Sequence, residues 1–133
     1  MVYAVRMRMR LPKQDKKYVW TNHVLQKMVF YRLSESRVRR VIKNPKRVEE
    51  GIAPDTIASM QPSGSKKRKE EIWVMWREKI KNEKLKSKND NLKLKMNEPK
   101  IIIISAWRYP GKSPVGKRIQ IPENVLEDLK NYI

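Results

Sequence analysis

There is no cysteine anywhere in the 133 residues, which excludes a disulfide framework, a thiol nucleophile and any cysteine-based zinc site. A single histidine rules out a multi-histidine metal centre within one chain. Glycine is scarce, at four residues, and none lies in a glycine-rich loop. The P-loop and the dinucleotide-binding fingerprint are therefore missing. No apolar run approaches the roughly 18 residues that span a bilayer. Met1–Arg10 alternates where a signal peptide would carry an apolar block. Together these absences predict a soluble cytoplasmic protein, free of the membrane, with no cofactor and no metal.

Positive charge is what the chain has in excess. Thirty-two Lys and Arg face 14 Asp and Glu, for a formal net charge of +18. The excess is uneven: residues 1–47 carry +12, residues 48–65 carry −3, residues 66–100 carry +7 and residues 101–133 carry +2. Concentrated charge of this kind suits a polyanion or a strongly acidic protein partner. The plainer reading is a lysine-rich surface that only keeps the protein soluble. Hydrophobic residues make up 39% of the chain and occur in clusters, enough for one folded domain over 1–133.

Hydropathy patterning divides the chain into elements. Val5, Met7, Met9 and Leu11 alternate with Arg6, Arg8 and Arg10, the period of a half-buried strand. Its arginine face is either solvated or laid along a phosphate backbone. Thr21 or Asn22 can cap a helix starting at His23, and Ser34 can cap a second over Glu35–Lys43 that Asn44-Pro45 ends. Gly51–Ser65, rich in Pro, Ser, Gly and Asp, reads as an irregular connection. Glu71–Ile80 and Lys100–Tyr109 read as strands. The second holds Ile101 to Ile104 and should be central and buried on both faces. Between them Lys81–Pro99 is almost all Lys, Asn, Asp and Glu, the pattern of an exposed insertion at about 81–99. Pro122 opens a terminal helix with Val125, Leu126, Leu129 and Ile133 as its stripe. The fold class is α+β: a short helical hairpin and a C-terminal helix packed on one face of a mostly antiparallel sheet.

His23, Leu25-Gln26-Lys27-Met28, Arg32-Leu33-Ser34, Val38, Ile42 and Asn44-Pro45 together resemble a family of small bacterial and archaeal proteins. Its usual pattern is His, Glu-Arg-Met, Arg-Ile-Ser, a valine and Asn-Pro, in the neighbourhood of the RelE- and BrnT-like toxins. The resemblance covers about residues 19–108, with the insertion as a departure. Gln26 stands where the family has Glu, and Lys27 where it has Arg. The resemblance implies a ribonuclease-toxin-like fold and an RNA or ribosome target. It also implies, for a toxin, an acidic antitoxin that covers the basic surface.

Metal-independent RNA cleavage needs a base for the 2′-hydroxyl, an acid for the leaving oxygen and cations for the phosphorane. His23 is the one side chain with an unperturbed pKa near neutrality. Lys27 shares its helical face, and Arg108, after a central strand, can converge on the helix start. These three form the candidate catalytic set. A structural or capping histidine is the alternative for His23, and solvated charge for the others. Arg6, Arg8, Arg10, Arg32, Arg37 and Arg40 are candidate phosphate contacts. Arg32 lies about 180° from His23 on the helix unless the helix ends first. Trp73 and Trp76 must point to opposite sheet faces. Trp76 and Trp107 are candidate stacking platforms, with packing under the terminal helix as the alternative for Trp107. Three functions follow: an RNA-directed protein acting as an endoribonuclease toxin, a non-catalytic nucleic-acid- or ribosome-binding module, and a DNA-binding regulator using Arg37, Arg39 and Arg40.

Overall fold

Thr21 keeps an extended backbone (φ −69°, ψ 158°) while its side chain accepts from the Val24 N–H at 3.1 Å, the N-cap arrangement. The computed structural model describes residues 17–79, 101–115 and 119–132. The helix that Thr21 caps, α1, runs Asn22–Tyr31 and follows a short strand β1, Tyr18–Trp20. Ser34 caps α2, Glu35–Lys43, by accepting from the Arg37 N–H at 3.1 Å. The helix stops at Asn44 before Pro45, as proline's constraint on its predecessor requires. The predicted strand through Arg6, Arg8 and Arg10 and the predicted insertion at 81–99 lie outside the described residues.

After α2 come β2 (Arg47–Glu50), β3 (Ile57–Gly64), β4 (Lys69–Glu78), β5 (Ile101–Pro110) and α3 (Glu123–Tyr132). The five strands form one mixed sheet in the order β1-β5-β4-β3-β2. The pair β1–β5 is parallel and the other three pairs are antiparallel.

Two expectations are corrected here. The stretch 51–65 is not an irregular connection, because most of it is β3, paired with β4 from Ile57↔Trp76 to Gly64↔Lys69. Pro62 argues against a strand by sequence, since it cannot donate to a ladder. Met60 O accepts from the Lys46 N–H, so Met60 faces the β2 side. Pro62, two residues on, faces that side too, and β2 pairs only as far as Met60. The missing N–H therefore breaks no ladder bond.

The second correction concerns layers. Helices cover both faces of the sheet, not one. Val24 and Met28 of α1 and Val38, Val41 and Ile42 of α2 pack with Ile72, Val74 and Ile103. Val125 and Leu129 of α3 pack on the opposite face with Trp73, Met75, Ile102, Ile104 and Trp107. Strands β4 and β5 are apolar on both faces, so one helical layer would have left half of that surface in water. Complete burial of a side chain such as Ile103 or Leu129 stabilises by about 1.5–3 kcal/mol relative to exposure.

An irregularity in β5 sets the geometry of everything nearby. Met75 pairs with Ser105 but Trp76 pairs with Ile103, leaving Ile104 as an extra residue. Such a bulge re-aims the side chains beyond it. It falls where β1 ends: Thr21 donates from its backbone N–H to Ile103 O and from Oγ1 to Ile104 O. From there α1 takes over the edge of β5. On the opposite side, buried Glu71 accepts from Trp73 Nε1, Ser113 N–H and Ser113 Oγ (3.0, 3.2 and 2.6 Å). Arg47 donates to Ser113 and to Pro114 O. This network ties β2, β4 and the segment after β5 together.

Candidate nucleic-acid interface

The start of α1 holds two of the three candidate catalytic residues. His23 Nε2 lies 2.7 Å from Ser105 Oγ, a hydroxyl with no exposed surface. The bulge aims Ser105 at the helix. Lys27, one turn further, is 8% exposed and pairs with Asp128 of α3 at 2.8 Å. Burial, then repulsion from Lys27, hold the His23 imidazole below its ordinary value, with Asp128 opposing them. The hydrogen bond from Lys27 in turn holds the exposed Asp128 carboxyl low. His23 is thus neutral at neutral pH, and the charge of Lys27 is already compensated.

Arg108 is elsewhere. The expectation that it converges on the start of α1 is corrected, because it grips the other end. Its Nε donates to Tyr31 O at 2.7 Å and its NH2 to Arg32 O at 3.2 Å, while NH1 lies 3.5 Å from Glu70 Oε2. The eight steps from His23 to Tyr31 span about 12 Å of helix. The guanidinium serves carbonyls that a helix C-terminus leaves without partners.

That terminus has a Schellman ending. The Leu33 N–H donates to Met28 O and the Arg32 N–H to Val29 O. Leu33 and Met28, the two apolar residues of the motif, are both fully buried. Its left-handed position, normally glycine, is Arg32 at φ 55°. The helix thus ends before Arg32, which leaves α1 with its side chain exposed.

Basic residues from separate parts of the chain meet beyond this point. Arg37 of α2 donates to Pro62 O of β3 at 3.1 Å. Burial, then repulsion from Arg40, then from Arg108, lower its pKa, so Arg37 stands between Arg40, one turn along α2, and Arg108 of β5. Arg40 is exposed, as is the Lys66–Lys69 run at the β3–β4 turn. That run, Arg108 and Gly111 line a cleft of about 600 Å³. Arg32, through its carbonyl, and Arg37 thus adjoin Arg108, Arg40 adjoins Arg37, and the lysine-rich turn reaches Arg108 from β3–β4.

Arg39 does not join them. It lies over the Tyr18 and Trp20 rings, at 4.9 and 5.8 Å, and pairs with Glu35. Trp107 is completely buried, stacked on Trp73 at 6.5 Å between centroids, with Nε1 donating to Gln120 O. It has no face left for a base, which corrects the expectation of a stacking role. Trp76 is half-buried against the α1–α2 core and donates to Ser59 Oγ. Trp73 and Trp76 do take opposite faces.

Sequence reasoning missed Ser105, Asp128, Glu70 and Phe30. Phe30, on α1, is 66% exposed. A helical projection would have found it, since it falls well off the stripe of Val24 and Met28. The others are brought in by contacts 38 to 82 residues apart in sequence, or from α3.

Among the described residues no group of three or more His, Asp or Glu is placed to hold a metal ion. No helix among them is long and apolar enough to cross a membrane. Comparisons with protein-family models, with curated proteins and with solved structures find no match.

Proposed function

We propose that this chain is an RNA-binding protein that holds the sugar–phosphate backbone on the face built by the α1–α2 turn, α2 and the β3–β4 turn. One observation carries the reading: Arg108 holds the carbonyl of exposed Arg32, acts on Arg37 of α2 and shares a cleft with the exposed Lys66–Lys69 run, while exposed Arg40 stands one turn from Arg37. Side chains of this kind, drawn from distant segments, give a continuous positive surface for phosphates. Arg32 adds a second argument. A non-glycine residue in the left-handed region costs about 1–2 kcal/mol, and such strain is met most often where a side chain is used. RNA rather than DNA follows from the resemblance to RelE- and BrnT-like toxins. A recognition-helix reading for duplex DNA is weakened because Arg39 folds back onto two aromatic rings.

Binding without cleavage is the form the geometry supports best, as Arg108 is about 12 Å along α1 from His23. A ribosome is the same chemistry on a larger scale, and an acidic antitoxin would compete for the same face. The neutral imidazole of His23 favours a second reading, metal-independent cleavage with His23 as base. In that case His23→Ala lowers the cleavage rate by roughly 10²–10⁴ and leaves RNA affinity nearly unchanged. Equal cleavage by the folded variant removes His23 from any mechanism.

The binding test is a charge reversal. Arg40→Glu should weaken RNA binding at least tenfold at physiological salt. Lys130→Glu, the same charge change on the exposed side of α3, should leave it within about threefold. Equal losses for both would reduce the effect to net charge and defeat the assignment of a face.

A further inference from the structure

We infer that Phe30 is a stacking platform for an unpaired base, so that the nucleic acid this protein takes is single-stranded. The inference rests on the RNA-binding reading above and specifies which form of RNA fits.

Phe30 is a large aromatic that folding leaves two-thirds exposed. Its ring is nonetheless held. It meets the Tyr31 ring edge-to-face, with centroids 4.8 Å apart and planes at 81°. The Tyr31 hydroxyl is anchored on Asn124 of α3 at 3.2 Å. The Lys27 ammonium lies 5.6 Å from the Phe30 centroid and is itself fixed by Asp128. An exposed ring with ordered neighbours loses little freedom when a flat partner lands on it, which is what preorganisation contributes to binding.

The position of the ring selects the partner. Phe30 is two residues from Arg32, about 3 Å along the helix, on the helix end that Arg108 clamps. The next carbonyl in the chain, that of Tyr31, is held by Arg108, so Phe30 adjoins the basic face through its backbone, and a strand held there by its phosphates passes within reach of the ring. Among the described residues the other exposed large apolar side chains, Val48 and Val115, do not extend it into a patch. Val48 is on β2, at the far edge of the sheet from β1. Val115 follows Pro114, whose carbonyl Arg47 of β2 holds. A single ring is too small for a protein–protein core, which needs hundreds of square ångströms of contiguous apolar surface. It is the size of one base. Stacking of a base on an aromatic side chain demands that the base be free of its own duplex.

The experiment uses the full chain and a 12-nucleotide RNA without internal pairing, alone and annealed to its complement. Phe30→Ala should weaken binding of the single strand by about 5- to 150-fold, the range for losing one stacked base. Duplex affinity, the salt dependence of binding and the melting temperature should not change. Phe30→Trp should bind the single strand as well as the parent or better. A 5-iodouracil-substituted strand should crosslink to residue 30 on irradiation.

Single-strand binding unchanged in Phe30→Ala overturns the inference and leaves the basic face standing. Equal losses on single strand and duplex overturn it too. So does a variant that binds RNA normally but loses a concentration-dependent self-association, which would assign the ring to a protein contact. If the parent protein binds neither form of RNA, the binding reading falls and this inference with it.

Discussion

Arg108→Ala should unfold the protein more easily rather than strip it of a ligand contact. The guanidinium makes a 2.7 Å bond to Tyr31 O and a 3.2 Å bond to Arg32 O. Bonds with one charged partner contribute about 1.5–3 kcal/mol each when well made. The first bond merits about 2 kcal/mol. The second is longer and exposed, and falls below that range, to somewhat less than about 1 kcal/mol, near the net value of an ordinary hydrogen bond. The Glu70 contact, at 3.5 Å between side chains about one-third exposed, adds a few tenths of a kcal/mol. The sum is about 3 kcal/mol. For a chain of this length, intermediate between the usual size classes, each kcal/mol shifts melting by about 3–5 °C. Arg108→Ala should therefore melt roughly 10 °C lower by circular dichroism. Arg108→Lys should recover little, because an ammonium cannot fork across two carbonyls. Well below its melting point, the Ala variant should bind RNA within about threefold of the parent, since Glu70 already offsets the charge. Unchanged melting with a large loss of RNA affinity would refute the structural role and return Arg108 to the ligand.

Two further outcomes follow from the same helix. Arg32→Gly should relieve the left-handed strain and raise stability by about 0.5–1 kcal/mol after the greater chain entropy of glycine is counted, while weakening RNA binding. Arg32→Ala should weaken binding equally with no gain in stability, and denaturant titration of the pair separates strain from side chain. His23 sets a pH dependence of definite sign. Its folded pKa lies below 6.5, so between the two values the unfolded chain binds more protons than the folded one. Stability should be full above about pH 6.5, fall as pH drops toward the folded value, and then level, by at most about 1.4 kcal/mol per pH unit. Melting followed from pH 7.5 to 5 should show this step in the parent and not in His23→Asn. A protein that grows more stable over that interval would contradict the burial of His23 against Ser105.

The parts of this fold legible in the sequence are those fixed by local chemistry. Thr21, Ser34 and Asn44-Pro45 mark the ends of α1 and α2 because capping and proline act over a few residues. The strands β4 and β5 announce themselves through β-branched and aromatic runs. Strands β2 and β3 do not, since Arg47-Val48-Glu49-Glu50 and a segment holding Pro62 and Ser63 become strands only by pairing with distant partners. The two-sided layering was implicit in a β5 buried on both faces, which needs a cover on each side. At the site, the concentration of arginine was visible but its grouping was not. Arg108 reaches a carbonyl 77 residues away, a contact no spacing reveals. Periodicity assigned Trp107 to one face with Tyr109, but the depth of that face depends on α3. Phe30 was missed although its angle on the helix, well off the Val24 and Met28 stripe, marks it as outward-facing.

The claim that phosphates are held by the α1–α2 face is tested most directly by salt. The affinity of the full chain for a single-stranded RNA, measured from 50 to 300 mM salt, gives a logarithmic slope of about −0.7 per phosphate neutralised. Replacing Arg32, Arg37 and Arg40 with alanine should make that slope shallower by about 2, the loss of three such contacts, in a protein that still melts cooperatively. A slope unchanged by the triple substitution would mean that the phosphates lie elsewhere.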